Sequence, residues 1–348
     1  MKVNKTKSVV VLGCLVVLAA FLALPGAAVA KEIPKGLVIG YNVSLLANGY
    51  HQADSTWAIK YAKEKYGAIV KVFDGKLDNA VIAANVDQQV AQGIDMMSLQ
   101  PMEAESVAEG VKQARKEGMI VAAFYIPIRK PPIPCVTISE KGAAFKMGVV
   151  AATKWKEFYP DKPIIWGIIG YLENETVDNE RTNPFIEGIL SVAPDAKEAM
   201  RLGPAGGREE AYKAAQDMFQ AHPEINIVYG ESVDYSLGTL AALQEMGRGK
   251  AVNGKPLTEI VVGTDAPEAE LKQVFDPNVS LKITMGLTPK DNAMARIDNL
   301  MDIYTGKVDP DKFILILTED KQIDYWSADV KEVEAWLKDQ YMVDAKLK

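Results

Sequence analysis

The 348-residue sequence has 46 Asp and Glu against 39 Lys and Arg, a formal charge of −7, which disfavours nucleic acid and anionic membrane surfaces as partners. Its two cysteines, Cys14 and Cys135, and two histidines, His51 and His222, supply neither a disulfide framework nor a metal-ligand cluster. The length accommodates two domains, each with its own core.

Residues 1–30 read as a secretion signal. Lys2, Lys5 and Lys7 precede an apolar run at 9–24, and Ala28-Val29-Ala30 gives a small-x-small cleavage site. The run is shorter than the ~20 residues that span a bilayer, and Pro25-Gly26 breaks it. "VLGC" sets Cys14 after small residues, so a lipoprotein is a minor alternative, although too few apolar residues would precede the cleavage point. Cleavage after Ala30 removes three lysines and no acid, leaves Cys135 alone, and implies a periplasmic protein that is stable without disulfides.

From Leu37 the sequence alternates β-rich runs with helical patterns. Expected strands are "LVIGYNV", "AIVKVF", "IDMMSLQ", "MIVAAFY", "IIWGIIG", "NIVYG", "EIVVGTD", "LKITMG" and "FILIL". Most are continuously apolar, as in a parallel sheet covered by helices on both faces. Between them, 52–66 repeats Ala53, Trp57 and Tyr61 at every fourth residue, and 209–221 aligns Ala211, Ala215, Met218 and Phe219. Glycines close helices in "KEKYG", "AQGID", "RKEGM" and "QEMGRG". The four prolines of "IPIRKPPIP" read as a connection leaving one domain. The architecture is therefore α/β with right-handed crossovers.

Catalytic motifs are weak. "GKAVNGK" resembles part of a phosphate loop, but Pro256 replaces the hydroxyl residue, and a helix precedes it where a strand should, so it reads as a turn. No Gly-x-Gly-x-x-Gly follows the first strand and no Gly-x-Ser-x-Gly elbow occurs. His222 sits at a helix end, and "ENETVDNE" reads as a solvated loop. No cofactor and no bond chemistry are expected. What remains are polar and aromatic residues just past strand ends, where open α/β sheets bind ligands. They are Tyr41, 48–51, 124–125, 171–181, 231–235 and 264–265, a mix suited to a hydroxyl-rich ligand.

Three blocks in this order, "QQVAQGIDMMSLQPMEAESVAEGVKQARKEGMIV", "GGREEAYKAAQDMFQAHPEINIVYGESVDYSLGTLAALQEMG" and "EIVVGTDAPEAELKQV", resemble the periplasmic solute-binding proteins of the ribose- and galactose-binding type. The resemblance covers residues 32 to about 322. It implies two Rossmann-like, doubly wound parallel-sheet lobes joined by a three-strand hinge, the type I architecture shared with the core of lactose-repressor-like regulators. Lobe one would comprise 31–139 and 287–317, lobe two 140–286 and 318–348. "SADVKEVEAWLKDQ" reads as an additional helix capped by Ser327.

By the same resemblance, Asn48, Tyr50 and His51 fall where the family places Asn and two aromatics. Asn179 and Arg181 match a sugar-gripping arginine and its neighbour, and Asp265 matches an aspartate of lobe two. Three positions depart from the pattern: Tyr125-Ile126 replaces an Asp-Arg pair, Ser232-Val233 an Asn-Asp pair, and Gly286 a hinge glutamine. Tyr125 and Ser232 stay among the expected ligand contacts. The implied function is a monomeric sugar or polyol receptor serving an ABC permease. A receptor for a nucleoside, purine or furanone is the alternative, as is a chemotaxis sensor acting through a membrane receptor.

Overall fold

The computed structural model describes residues 31–172, 174–204 and 206–348, so the expected secretion signal and Cys14 lie outside the described residues. Short β-rich runs form β1 (Val38–Val43), β2 (Ile69–Asp74), β3 (Met96–Leu99), β4 (Ile120–Phe124) and β5 (Cys135–Ser139). There follow β6 (Ile165–Ile169), β7 (Lys197–Leu202), β8 (Ile227–Gly230) and the two-residue pieces β9 (Ala251–Val252) and β10 (Lys255–Pro256). The last are β11 (Ile260–Asp265), β12 (Leu281–Gly286), β13 (Leu315–Glu319) and β14 (Lys321–Asp324).

One sheet has the order β13-β5-β4-β3-β1-β2 and is wholly parallel. The other, β14-β12-β11-β8-β6-β7, is parallel except for β14, which runs antiparallel to β12. Parallel pairing requires crossovers, and helices bury the apolar strand runs from both sides. The backbone passes between the lobes after Ser139, after Gly286 and between Glu319 and Lys321. Strand β13 thus continues to Glu319, past the boundary at 317.

The helix Arg208–Ala221 buries the four residues expected to share its face. Elsewhere the structure differs from the sequence reading. The proline-rich segment leads from β4 to β5 within lobe one rather than out of it, because the short "CVTIS" run after it is itself a strand. Edge strand β7, with Lys197, Glu198 and Arg201, carries too much charge to read as apolar. "GKAVNGK", by contrast, is the turn expected, a hairpin whose Asn253-Gly254 turn has φ of 51° and 77°, the mirror-image turn that matches strand twist. The helix Val330–Tyr341 is capped by Asp329, which accepts from the N–H groups of Lys331 and Glu332, whereas Ser327 is tied to Asp324.

Two helices of lobe two, Lys141–Phe158 and Asn183–Val192, meet backbone to backbone. A Cβ on Gly148 would lie 2.0 Å from the Phe185 carbonyl oxygen, and one on Gly188 2.1 Å from that of Phe145. Gly148→Val should therefore cost about 1–3 kcal/mol or more in urea unfolding, as overpacking does. Gly142→Ala, exposed on the same helix with no atom within 4 Å of the new methyl, should instead raise stability by up to about 1 kcal/mol.

Candidate functional site

Residues at the carboxyl ends of β1, β4, β6, β8 and β11 face each other across the cleft and line a cavity of about 80 Å³. Lobe one contributes Asn48, Tyr50 and His51. Asn48 caps the helix Gly49–Tyr61: its Oδ1 accepts from the Tyr50 N–H at 2.8 Å. Its Nδ2 donates across the cleft to Asp265 Oδ2 at 3.1 Å. In the first turn, His51 Nε2 pairs with Ser44 Oγ at 2.9 Å, while Nδ1 has no hydrogen-bond partner among the described residues. Burial, aided by the charges of Arg296 and Arg181, pushes the imidazole down to about 3, so it is neutral at any physiological pH. A neutral ring with one free nitrogen is a hydrogen-bonding surface, not an acid.

Lobe two contributes Arg181, Ser232 and Asp265. Arg181 lies in the π-helical turn Asp178–Thr182, which continues the short turn Glu175–Val177 within the acidic stretch expected to be loop. Its guanidinium forks onto Glu140, Nε to Oε2 at 2.7 Å and Nη2 to Oε1 at 2.5 Å, and Nη1 donates to the Glu231 carbonyl at 2.6 Å. Three of five N–H donors are thereby used. Tyr125 also donates to Glu140, at 2.8 Å, from a backbone with φ of 62°. Ser232 caps the helix Val233–Glu245, whose first N–H, on Val233, donates to Asp265 Oδ2 at 3.0 Å. A carboxylate there is favoured by the helix dipole. Burial nevertheless raises its pKa, opposed by Arg181 and by the Val233 and Asn48 hydrogen bonds.

Asn48, Tyr50, His51, Tyr125, Arg181, Ser232 and Asp265 are thus brought to one cavity. Two expected residues are not. Tyr41 is fully buried beneath the cleft, donating to Asp54 Oδ1 at 2.7 Å with the Arg296 guanidinium 3.6 Å above its ring. Its position inside β1 points it into the core rather than past the strand end. Asn179 is exposed and lines the wider outer mouth. Sequence reasoning overlooked Ser44, Gln100, Met102 and, above all, Glu140. Gln100 follows β3 directly and Glu140 follows β5, so the strand-end rule would have found both once those strands were delimited.

The hinge position Gly286 has a steric reason. A Cβ there would lie 2.9 Å from the Trp336 indole, which belongs to the helix Val330–Tyr341. Behind Asp265, Glu270 is wholly buried, accepting from Ala266 N–H at 2.9 Å and Thr284 Oγ1 at 2.7 Å beside Ser236 Oγ. Burial, with a contribution from the Asp265 charge, raises it to about 8.

Residues 39–307 match the family model described as periplasmic binding protein domain. A ribose import binding protein of Bacillus subtilis is 22% identical over 253 residues, 72% of this chain and 76% of the relative. A D-ribose/D-allose-binding protein of Pseudomonas aeruginosa is 23% identical over 306 residues, 81% of this chain and 93% of the relative. The crystal structure of a galactofuranose binding protein superposes with a TM-score of 0.71 at 20% identity, covering 89% of this chain and 100% of that one.

Two measurements test the site's electrostatics. Glu140→Ala strands a buried guanidinium and should lower unfolding free energy by about 3–5 kcal/mol in chemical denaturation. The folded protein holds the Glu270 proton up to about pH 8, whereas the unfolded protein releases it in the ordinary carboxylate range. Stability from this group is therefore present at low pH and falls as pH rises through that window, at most by about 1.4 kcal/mol per unit. Glu270→Gln should flatten the profile, so that the variant gains on the wild type between pH 5 and pH 8 in urea titrations.

Proposed function

The chain belongs to the periplasmic binding protein domain family, and from that premise we propose that it captures a sugar or polyol between its lobes and delivers it to an ABC permease. The observation that supports this most is the joint cavity, in which Asn48 and His51 of one lobe and Arg181, Ser232 and Asp265 of the other face a single small space. Both lobes can touch one ligand only when the cleft is closed. Binding then stabilises the closed form, and the permease would recognise the outer surfaces that closure aligns. Export by residues 1–30 and action as a monomer belong to the same reading.

The lining favours a neutral, hydroxyl-bearing ligand. Asp265 accepts a hydrogen bond from a hydroxyl, the Arg181 N–H groups that have no partner among the described residues donate, and His51 Nδ1 does either according to its tautomer. Tyr125, Phe124 and Met102 offer apolar surface to the C–H groups of a sugar ring or an open polyol. The ribose, allose and galactofuranose named for the similar proteins are compact polyhydroxylated molecules of this kind.

A thermal-shift screen of the secreted form against pentoses, hexoses, furanosides, pentitols and nucleosides tests the proposal. At 100 times its dissociation constant a ligand should stabilise the fold by about 2.7 kcal/mol. Asp265→Asn, which keeps the side-chain volume but removes the charge, should abolish the shift. A shift by purines alone would overturn the sugar assignment, and normal binding by the Asp265 variant would overturn the role given to that carboxylate.

A further inference from the structure

The helix Val330–Tyr341 lies beyond the residues matched to the family, yet it touches both lobes. Val333, Leu337 and Tyr341 are buried in the lobe-two core with Leu281 and Ile323, and Trp336 covers the hinge strand at Gly286. The helix is therefore carried by lobe two. Its last turn nevertheless binds lobe one. Trp57 Nε1 donates to the Gln340 carbonyl at 2.6 Å, Gln340 Nε2 to Asp291 Oδ2 at 3.2 Å, and the Lys290 N–H to Gln340 Oε1 at 3.2 Å. Lys290 Nζ also meets Asp339 Oδ1 at 2.5 Å. Gln340 is only 4% exposed, so most of these bonds are shielded from water.

The next residue faces the site. The Tyr341 hydroxyl donates to the backbone carbonyl of Asp265. That backbone needs holding: Asp265 and Ala266 have φ of 94° and 52°, left-handed values that cost non-glycine residues about 1–3 kcal/mol each. The carbonyl is fixed by Tyr341, the Ala266 N–H by Glu270, and the Asp265 carboxylate by Val233 and Asn48. Residues 340 and 341 thus join a lobe-one anchor to the aspartate of lobe two within two positions of one helix.

We propose that the last turn of this helix couples lobe closure to the placement of Asp265, with Tyr341 as the positioning residue. Closure sets the contacts of Trp57, Lys290 and Asp291 on Gln340, and the rigid turn passes that register to the Asp265 carbonyl through the adjacent tyrosine. The inference rests on the reading of Asp265 as a ligand contact, but its test needs no ligand.

Amide hydrogen exchange on the ligand-free protein reads the coupling at the Val233 and Ala266 N–H groups, whose partners are Asp265 Oδ2 and Glu270 Oε2. Tyr341→Phe keeps the ring against Trp336, at 5.6 Å between centroids, and removes the hydroxyl. It should speed exchange at both amides about three- to tenfold, the scale of one lost hydrogen bond, and leave the helix Arg208–Ala221 unchanged. Trp57→Phe, on the opposite lobe, should raise exchange at the same two amides. No change there with Trp57→Phe, or uniform acceleration across lobe two with Tyr341→Phe, would overturn the coupling. The sugar screen on Asp265→Asn decides separately whether Asp265 is a ligand contact.

Discussion

Arg181 enters the cleft already paired. Its fork onto the fully buried Glu140 satisfies the charge with two short hydrogen bonds, and Tyr125 donates to the same carboxylate. A buried guanidinium without that partner would carry a desolvation cost of several kcal/mol, so this pair permits a charged residue in the cleft at all. It also decides what the cleft accepts. With the guanidinium neutralised by Glu140, the pair offers an anion little net positive charge. Burial raises Asp265, and burial together with the charges of Glu140 and Asp265 holds Asp320 at the third crossing well above the ordinary carboxylate range. A carboxylate or phosphate ligand would add negative charge beside these carboxyls, whereas on the proposed reading a hydroxyl would donate to Asp265 without bringing in a charge.

The same pair shows where sequence reasoning stops. Strands with continuous apolar runs, such as β1, β6 and β11, were legible because burial on both faces leaves no alternation to misread. Strand β5 was not, since "CVTIS" is short and follows four prolines, and with it went Glu140, the partner on which Arg181 depends. Position past a strand end located Asp265 and Ser232 but gave Tyr41 the wrong face. That residue sits mid-strand, and its hydroxyl is held by Asp54 inside a network that Arg296 completes from the distant helix Pro289–Tyr304. Nothing local to Tyr41 announces Arg296. Gly286 likewise looks like a lost side chain in the sequence and becomes a packing requirement only beside Trp336.

Strained backbone stands on both sides of the cleft, at Tyr125 in lobe one and at Asp265-Ala266 in lobe two. Each is over-determined by local bonds: Tyr125 N–H donates to the Val136 carbonyl at 2.8 Å, and its own carbonyl accepts from Thr137 Oγ1 at 3.0 Å. Such conformations persist only where the surroundings enforce them, which makes these strand ends rigid and leaves adaptation to the three hinge crossings. Recognition geometry and hinge bending thus belong to different residues, which the Gln340–Tyr341 turn connects.

That division sets how finely closure is balanced. The Asn48–Asp265 bond joins the lobes directly, and a buried hydrogen bond of this kind contributes about 0.5–1.5 kcal/mol net. Together with the Gln340 contacts to Trp57, Lys290 and Asp291, contributions of that size keep the closed form within reach. A ligand need then supply only the difference between the two states. Because Asp265 is held by Asn48 from one lobe and Val233 from the other, a ligand hydroxyl bound to it, as proposed, would be stabilised only in the arrangement that both lobes create.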